Sequence, residues 1–161
     1  MIHIRQLDTD DIETVQDFTE RAFAPIFESW RGLVGGALFD RMFSDWQEQQ
    51  RGHVTTFFND QDAHNWIATV DDVPAGYIVL KFNHETKQGV VEFLVVSPDY
   101  QRQGIGSQLN QFAIEQMQEQ GMEVVEVGTG GDEAHAPARR AYEKMGYVGI
   151  PGMYYYKDLR D

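Results

Sequence analysis

Polar and apolar positions alternate along 1–5, and this period-2 pattern predicts a strand over 2–7 that stops at the cap signal Asp8-Thr9-Asp10. The period then changes. Ile12, Val15, Phe18 and Ala22 fall on one helical face, and Leu38, Phe39, Met42, Phe43 and Trp46 form a second helical stripe. The aromatic-rich stretch 23–30 reads as the connection between those two helices. Two β-prone runs, 65–70 and 75–81, flank Asp71-Asp72-Val73-Pro74 and predict strands joined by a turn. A buried strand follows at 90–96, then a helix carried by Ile105, Leu109, Phe112, Ala113 and Met117 that ends near Gln120. Residues 123–129 read as another strand. Pro137 in a first turn, one apolar face of Ala138, Ala141, Tyr142 and Met145, and a stop at Gly146 predict a last helix. A closing strand is expected around 153–158. This order predicts an α/β fold, a mixed central sheet with helices on both faces, in a single domain spanning 1–161.

The passage from Val90 to Gly106 carries the most chemistry. A strand and a short turn lead into a helix whose start holds Gly104 and Gly106. The first N–H groups of such a helix have no intrahelical partner, and its dipole adds partial positive charge, so it suits a phosphate or pyrophosphate. Gln101-x-x-Gly104-x-Gly106, behind the strand end Val95-Val96-Ser97-Pro98, resembles the acyl-CoA pyrophosphate loop of the GNAT N-acetyltransferase superfamily. Rival nucleotide patterns fit worse. No lysine follows Gly106, as a P-loop needs, and Leu109 stands where a dinucleotide fingerprint needs its third glycine. A second segment agrees: the spacing Ala138, Tyr142, Gly146-Tyr147 is similar to the superfamily's Asn-x-x-Ala-x-x-x-Tyr-x-x-x-Gly-Phe/Tyr, with His135 where Asn is usual.

The resemblance implies a GNAT-like sheet and an acetyl-CoA cosubstrate. It implies that the backbone of Leu94, Val95 and Val96 holds the pantetheine arm. Gln101, Arg102, Gln103, Gly104, Ile105, Gly106 and Ser107 would hold the pyrophosphate, with His135, Ala138, Arg139 and Tyr142 on the neighbouring helix. Arg140 is a further candidate for the phosphates, since arginine offers a fork of donors. N-acetylation also needs a base, because an alkylammonium has a reference pKa of roughly 10.4. Glu92 is the candidate, and strand alternation would set it on one face with Val90 and Leu94. Tyr142 matches the family's general-acid position and would serve the departing thiolate. Phe27, Glu28 and Trp30 fall where the family shapes its acceptor pocket. They read either as an aromatic and acidic cradle for an ammonium group or, for the two rings, as core. The implied function is direct acetyl transfer, in a ternary complex, to a small-molecule or peptidyl primary amine that is cationic at neutral pH. The alternative is a non-catalytic acyl-CoA-binding or sensing module of the same fold.

Composition narrows the partners. The 161 residues contain no cysteine, so disulfides, thiol nucleophiles and thiolate metal sites are excluded. A formal charge of −13 argues against nucleic acid or an anionic membrane surface as partner. The acidic excess concentrates in the first half of the chain, on the acceptor side that the resemblance implies. No apolar run is long enough for a signal core or a membrane span, so a cytoplasmic protein is expected. Asp60-x-Asp62-x-His64 has metal-ligand residue types without a matching partner set, reads as a turn, and leaves no metal expected. A homodimer is left open.

Overall fold

A computed structural model describes residues 1–160. The first strand, β1 (Ile2–Gln6), runs into a short 3-10 turn closed at both ends by carboxylates. Asp8 accepts from the Asp10 N–H at 3.2 Å, and Asp11 accepts from the Asp8 N–H at 2.8 Å. Arg5 forks onto Asp11 at 2.7 and 3.0 Å, and that guanidinium holds the Asp11 carboxyl below its ordinary value despite partial burial.

Helix α1 (Ile12–Val34) is longer than its opening stripe predicts. The stretch 23–30 is helical throughout, with Pro25 inside, rather than a connection. Proline removes one intrahelical hydrogen bond. Phe23, Phe27 and Trp30 continue the apolar stripe, however, and Phe27 is buried against Trp46, with ring centroids 4.6 Å apart and stacked. Burial of that ring overrides the proline. The helix ends at Gly35, whose N–H reaches the Arg31 carbonyl at 2.9 Å. The second stripe is likewise divided, between α2 (Gly36–Phe43) and α3 (Trp46–Asn59), with Trp46 opening the latter. Most of α3 escapes a periodicity reading because it buries little beyond Gln50 and Val54.

Strands β2 (His64–Val70) and β3 (Val73–Asn83) meet at a turn of only two residues. Asp71 and Asp72 both take left-handed φ, 49° and 67°, as the tight hairpin requires, so Val73 and Pro74 belong to β3. Strand β4 (Gln88–Val96), helix α4 (Ile105–Glu119), strand β5 (Val124–Val127) and helix α5 (Ala136–Lys144) complete the regular elements. The sheet order is β1-β2-β3-β4-β5, antiparallel up to β4, with β5 added parallel after the α4 crossover.

Two cores lie on opposite faces. Ala68, Ile78, Leu80 and Val91 pack with Ile105, Leu109, Ala113 and Met117 of α4. On the other face Ile67, Tyr77, Val79 and Val95 pack with Val15 and Phe18 of α1 and Val54 of α3. The expected closing strand is absent: 153–158 forms no ladder, and Tyr154 and Tyr155 are exposed. Its alternating pattern meets no strand edge here; Tyr156 instead sets its ring edge-on to Phe43 of α2, 6.2 Å away. No described helix is long and apolar enough to cross a membrane.

Candidate active site

The site begins with a defect in β4. Val79 faces Phe93 and Leu80 faces Val91, which leaves Glu92 as an extra residue in the strand. This bulge reverses the alternation expected for 90–94. Leu94 packs toward the α4 core, whereas Glu92 is exposed and lines a shallow groove with Val90, Lys81 and Asn83. Glu92 and Leu94 therefore do not share a face.

The bulge also marks where β4 loses its outer partner. β5 pairs with Gln88 through Val91, the last couple being Val91 with Val127. Beyond it, the β4 edge from Glu92 to Val96 faces no strand among the described residues. Extended backbone with free N–H and C=O groups is a template for another extended chain.

The start of α4 lies just past the top of that edge. Gly104 caps the helix in the left-handed region at φ 84°, with Arg102 also left-handed at 65°. No side chain caps it, and the first intrahelical bond runs from the Gln108 N–H to the Gly104 carbonyl at 3.0 Å. Gln101, Arg102, Gln103, Gly104 and Ser107 are exposed around these free amides, while Ile105 anchors the turn in the core. Gly76 of β3 makes this seat, because a Cβ there would stand 2.9 Å from both Ile105 Cγ2 and Leu109 Cδ1. Across the turn, Arg21 of α1 pairs with Asp99 at 3.1 Å.

Helix α5 brings Tyr142. Burial pushes its hydroxyl up to about 12, with a smaller contribution from Tyr147, whose ring stands edge-on at 5.6 Å. The buried Tyr147 hydroxyl has no hydrogen-bond partner among the described residues. At the head of α5, His135 Nδ1 lies 2.5 Å from Asp132 Oδ1, and Ser29 Oγ donates to Asp132 Oδ2 at 3.2 Å. Burial alone would raise the Asp132 carboxyl. The bonds from His135, Ser29 and its own backbone outweigh that and hold it below its ordinary value. An ionised carboxylate only accepts, so Nδ1 carries a proton in this contact. Arg139 is used locally: its Nη1 donates to the carbonyls of Gly130 and Asp132 at 2.7 and 2.6 Å, clamping the loop before α5. Arg140 is exposed and Ala138 half-buried.

The proposed acceptor trio is not gathered. Phe27 is buried among Trp30, Phe39, Phe43 and Trp46, whereas Glu28, one helical step round, is exposed. Trp30 alone of the three adjoins the α5 loop, 6.3 Å from the His135 ring. Asp60 bonds Lys81 at 2.8 Å and accepts from the Asp62 N–H at 2.9 Å, which makes 60–63 a turn with His64 opening β2. No group of three or more metal-ligating side chains occurs among the described residues. Ser29 and Asp132 are site residues that the sequence did not single out; Asp132-x-x-His135 at a helix start was the one local signal available.

Residues 26–147 match the model of the acetyltransferase (GNAT) family, a span holding the β4 bulge, the α4 start and Tyr142. The chain belongs to the GNAT family. It is 31% identical over 100 residues to the uncharacterized N-acetyltransferase YsnE of Bacillus subtilis (strain 168), a match over 62% of this chain and 60% of YsnE. Among solved structures, a transcriptional regulator from Bacillus halodurans C-125 superposes with a TM-score of 0.68 at 19% identity, covering 98% of this chain and 100% of the other. The PaiA N-acetyltransferase from Thermoplasma acidophilum, solved in complex with coenzyme A, gives 0.67 at 19% identity, with 92% of this chain and 90% of that one covered. At such identities the likeness is one of fold. This GNAT chain therefore has the family's sheet, and what it does must be argued from its own side chains.

Proposed function

We propose that the protein is an acetyl-CoA-dependent N-acetyltransferase that moves the acetyl group directly to a primary amine within a ternary complex. The observation that carries this reading is the loss of β5 pairing at Glu92. It places an open strand edge, a carboxylate and an uncapped helix start in succession along one path. The fit to acetyl-CoA is good. The edge at Leu94, Val95 and Val96 matches an arm built of amides, and the amides and polar side chains of 101–107 match a pyrophosphate. PaiA's binding of coenzyme A supports the same assignment. His135 and Ala138 line the carrier from α5, and Arg139 serves by clamping their loop.

Each residue then has a task. Glu92, exposed at the bulge, receives the ammonium and takes its proton, directly or through one water. The amine nitrogen attacks the thioester carbonyl, sheds its second proton to solvent, and the C–S bond breaks as the amide forms. Tyr142 meets the thiolate that leaves. With its hydroxyl at about 12, it is a far weaker acid than a thiol at about 8.5, so it donates a hydrogen bond and solvent supplies the final proton. The acidic excess of the first half of the chain favours a cationic acceptor through long-range steering.

Thiol release from acetyl-CoA across polyamines, aminoglycosides, amino acids and short peptides tests this. Release above the no-amine background with one class supports transfer and names the acceptor. The exposure of Glu92 favours a second reading, an acyl-CoA-binding module without turnover. Tight coenzyme A binding with background release throughout would establish that instead.

A further inference from the structure

Asn110 lies in the second turn of α4, 4% exposed, and its Oδ1 is buried without a hydrogen-bond partner among the described residues. An apolar side chain there would leave no acceptor unpaired, so the amide calls for a donor that the chain does not provide.

Its direction follows from its neighbours on the helix. A Cβ on Gly106 would meet Val96 Cγ2 at 3.6 Å, and Met117 Sδ lies 2.0 Å from where a Cβ on Gly89 would stand. At about 100° per residue, Gly106, Asn110 and Met117 share one flank of α4, which runs back along β4 from Val96 to Gly89. The other flank faces β2, where Phe112 meets Trp66 at 5.1 Å. Asn110 therefore turns toward the β5 side. It stands about 6 Å along the helix from Gly106, at ~1.5 Å per residue. That distance equals about two residues of strand and puts Asn110 level with Leu94. Here β4 has already parted from β5, whose last pair is Val91 with Val127. The orphan acceptor thus faces the stretch where strand pairing has stopped.

We propose that Asn110 Oδ1 accepts a hydrogen bond from an amide N–H of the pantetheine arm as that arm lies along the open edge of β4; this rests on the acetyl-CoA reading above. An extended chain bearing amides offers both partners the region lacks: groups for the β4 backbone and a donor for the buried oxygen.

Calorimetric titration of the wild type and Asn110→Leu with coenzyme A, and with its adenosine bisphosphate end alone, tests the assignment. Coenzyme A should bind the variant about tenfold more weakly, since an arm N–H is left unpaired, while the armless fragment binds both proteins equally. Equal coenzyme A affinity in the two proteins overturns the proposal, as does an equal drop for both ligands. A measurement on the wild type alone guards against a misfolded variant. Of coenzyme A analogues with one arm N–H replaced by an ester oxygen, one should bind about tenfold more weakly; analogues that all bind as coenzyme A does overturn the proposal. A wild type that binds no coenzyme A removes the acetyl-CoA reading itself. Binding that is indifferent to Asn110 removes only this inference.

Discussion

A Cβ on Gly76 would stand 2.9 Å from Leu109 Cδ1, so the first turns of α4 rest directly on the backbone of β3. Gly76→Ala forces the helix or its side chains to move. The expected cost is about 1–3 kcal/mol of stability, as for overpacking elsewhere. Urea unfolding measures it, and a variant as stable as its parent would mean that α4 has room to spare.

Tyr142→Phe keeps the ring and removes only the donor. Turnover should fall on the order of 10²-fold while coenzyme A affinity holds. Burial keeps the hydroxyl protonated until about 12, so the wild-type kcat should show no phenol-dependent decline up to pH 10.5. Steady-state rates from about pH 7 to 10.5 check both; turnover unchanged in the variant removes Tyr142 from the chemistry.

Glu92→Gln preserves shape and removes the base. With a proton acceptor lost, kcat should fall on the order of 10²-fold at neutral pH and recover as rising pH deprotonates the amine unaided. A raised KM with kcat intact would make Glu92 a seat for the ammonium and nothing more.

Asp132 and His135 act as one unit with Ser29. The single variants Asp132→Ala and His135→Ala should each lower stability, and the double variant should cost less than their sum by about 0.5–3 kcal/mol. Thermal or urea unfolding of the four proteins gives the coupling. Strict additivity would mean that the 2.5 Å contact carries no energy.

Stability should fall as pH climbs from about 10 to 12. Burial raises the Tyr77 hydroxyl well above its ordinary value, and it donates to Asn65 Oδ1 at 2.5 Å, while Tyr142 is raised to about 12. Unfolded phenols ionise near about 10, so above that pH the unfolded chain sheds protons that the folded chain retains. The stabilisation is complete below about pH 10 and is lost through the folded values. Melting temperatures from about pH 9 to 11 should slope downward, and Tyr77→Phe should flatten the slope whatever it does to the level.

The elements legible in the chain were those with a local cause. Ile105, Leu109 and Met117 announce α4 by spacing, and Gly104 with Gly106 announces its bare start. Asp8 announces the first turn through its own backbone bonds. What stayed hidden depends on distant partners. Pro25 argues for a break, and only Trp46 stacking on Phe27 explains its absence. The bulge at Glu92 is set by β3 pairing on one side and β5 on the other, so alternation within 90–94 could not show it. Ser29 and Asp132 meet across 103 residues. The strand-like pattern at 153–158 shows the converse, a local preference with no edge to satisfy it.

The extra residue at Glu92 gives β4 a parity. Every side chain from Phe93 to Val96 points opposite to the direction it would take by counting from Val90. Deleting Glu92 alone would join Val91 to Phe93, which already face opposite sides, and leave α4 and α1 the neighbours they have now. Losing Glu92 and Phe93 together would instead bring Leu94 to the α1 side and turn the hydrophobic end of the strand inside out, so this strand can give up one residue at the bulge but not two.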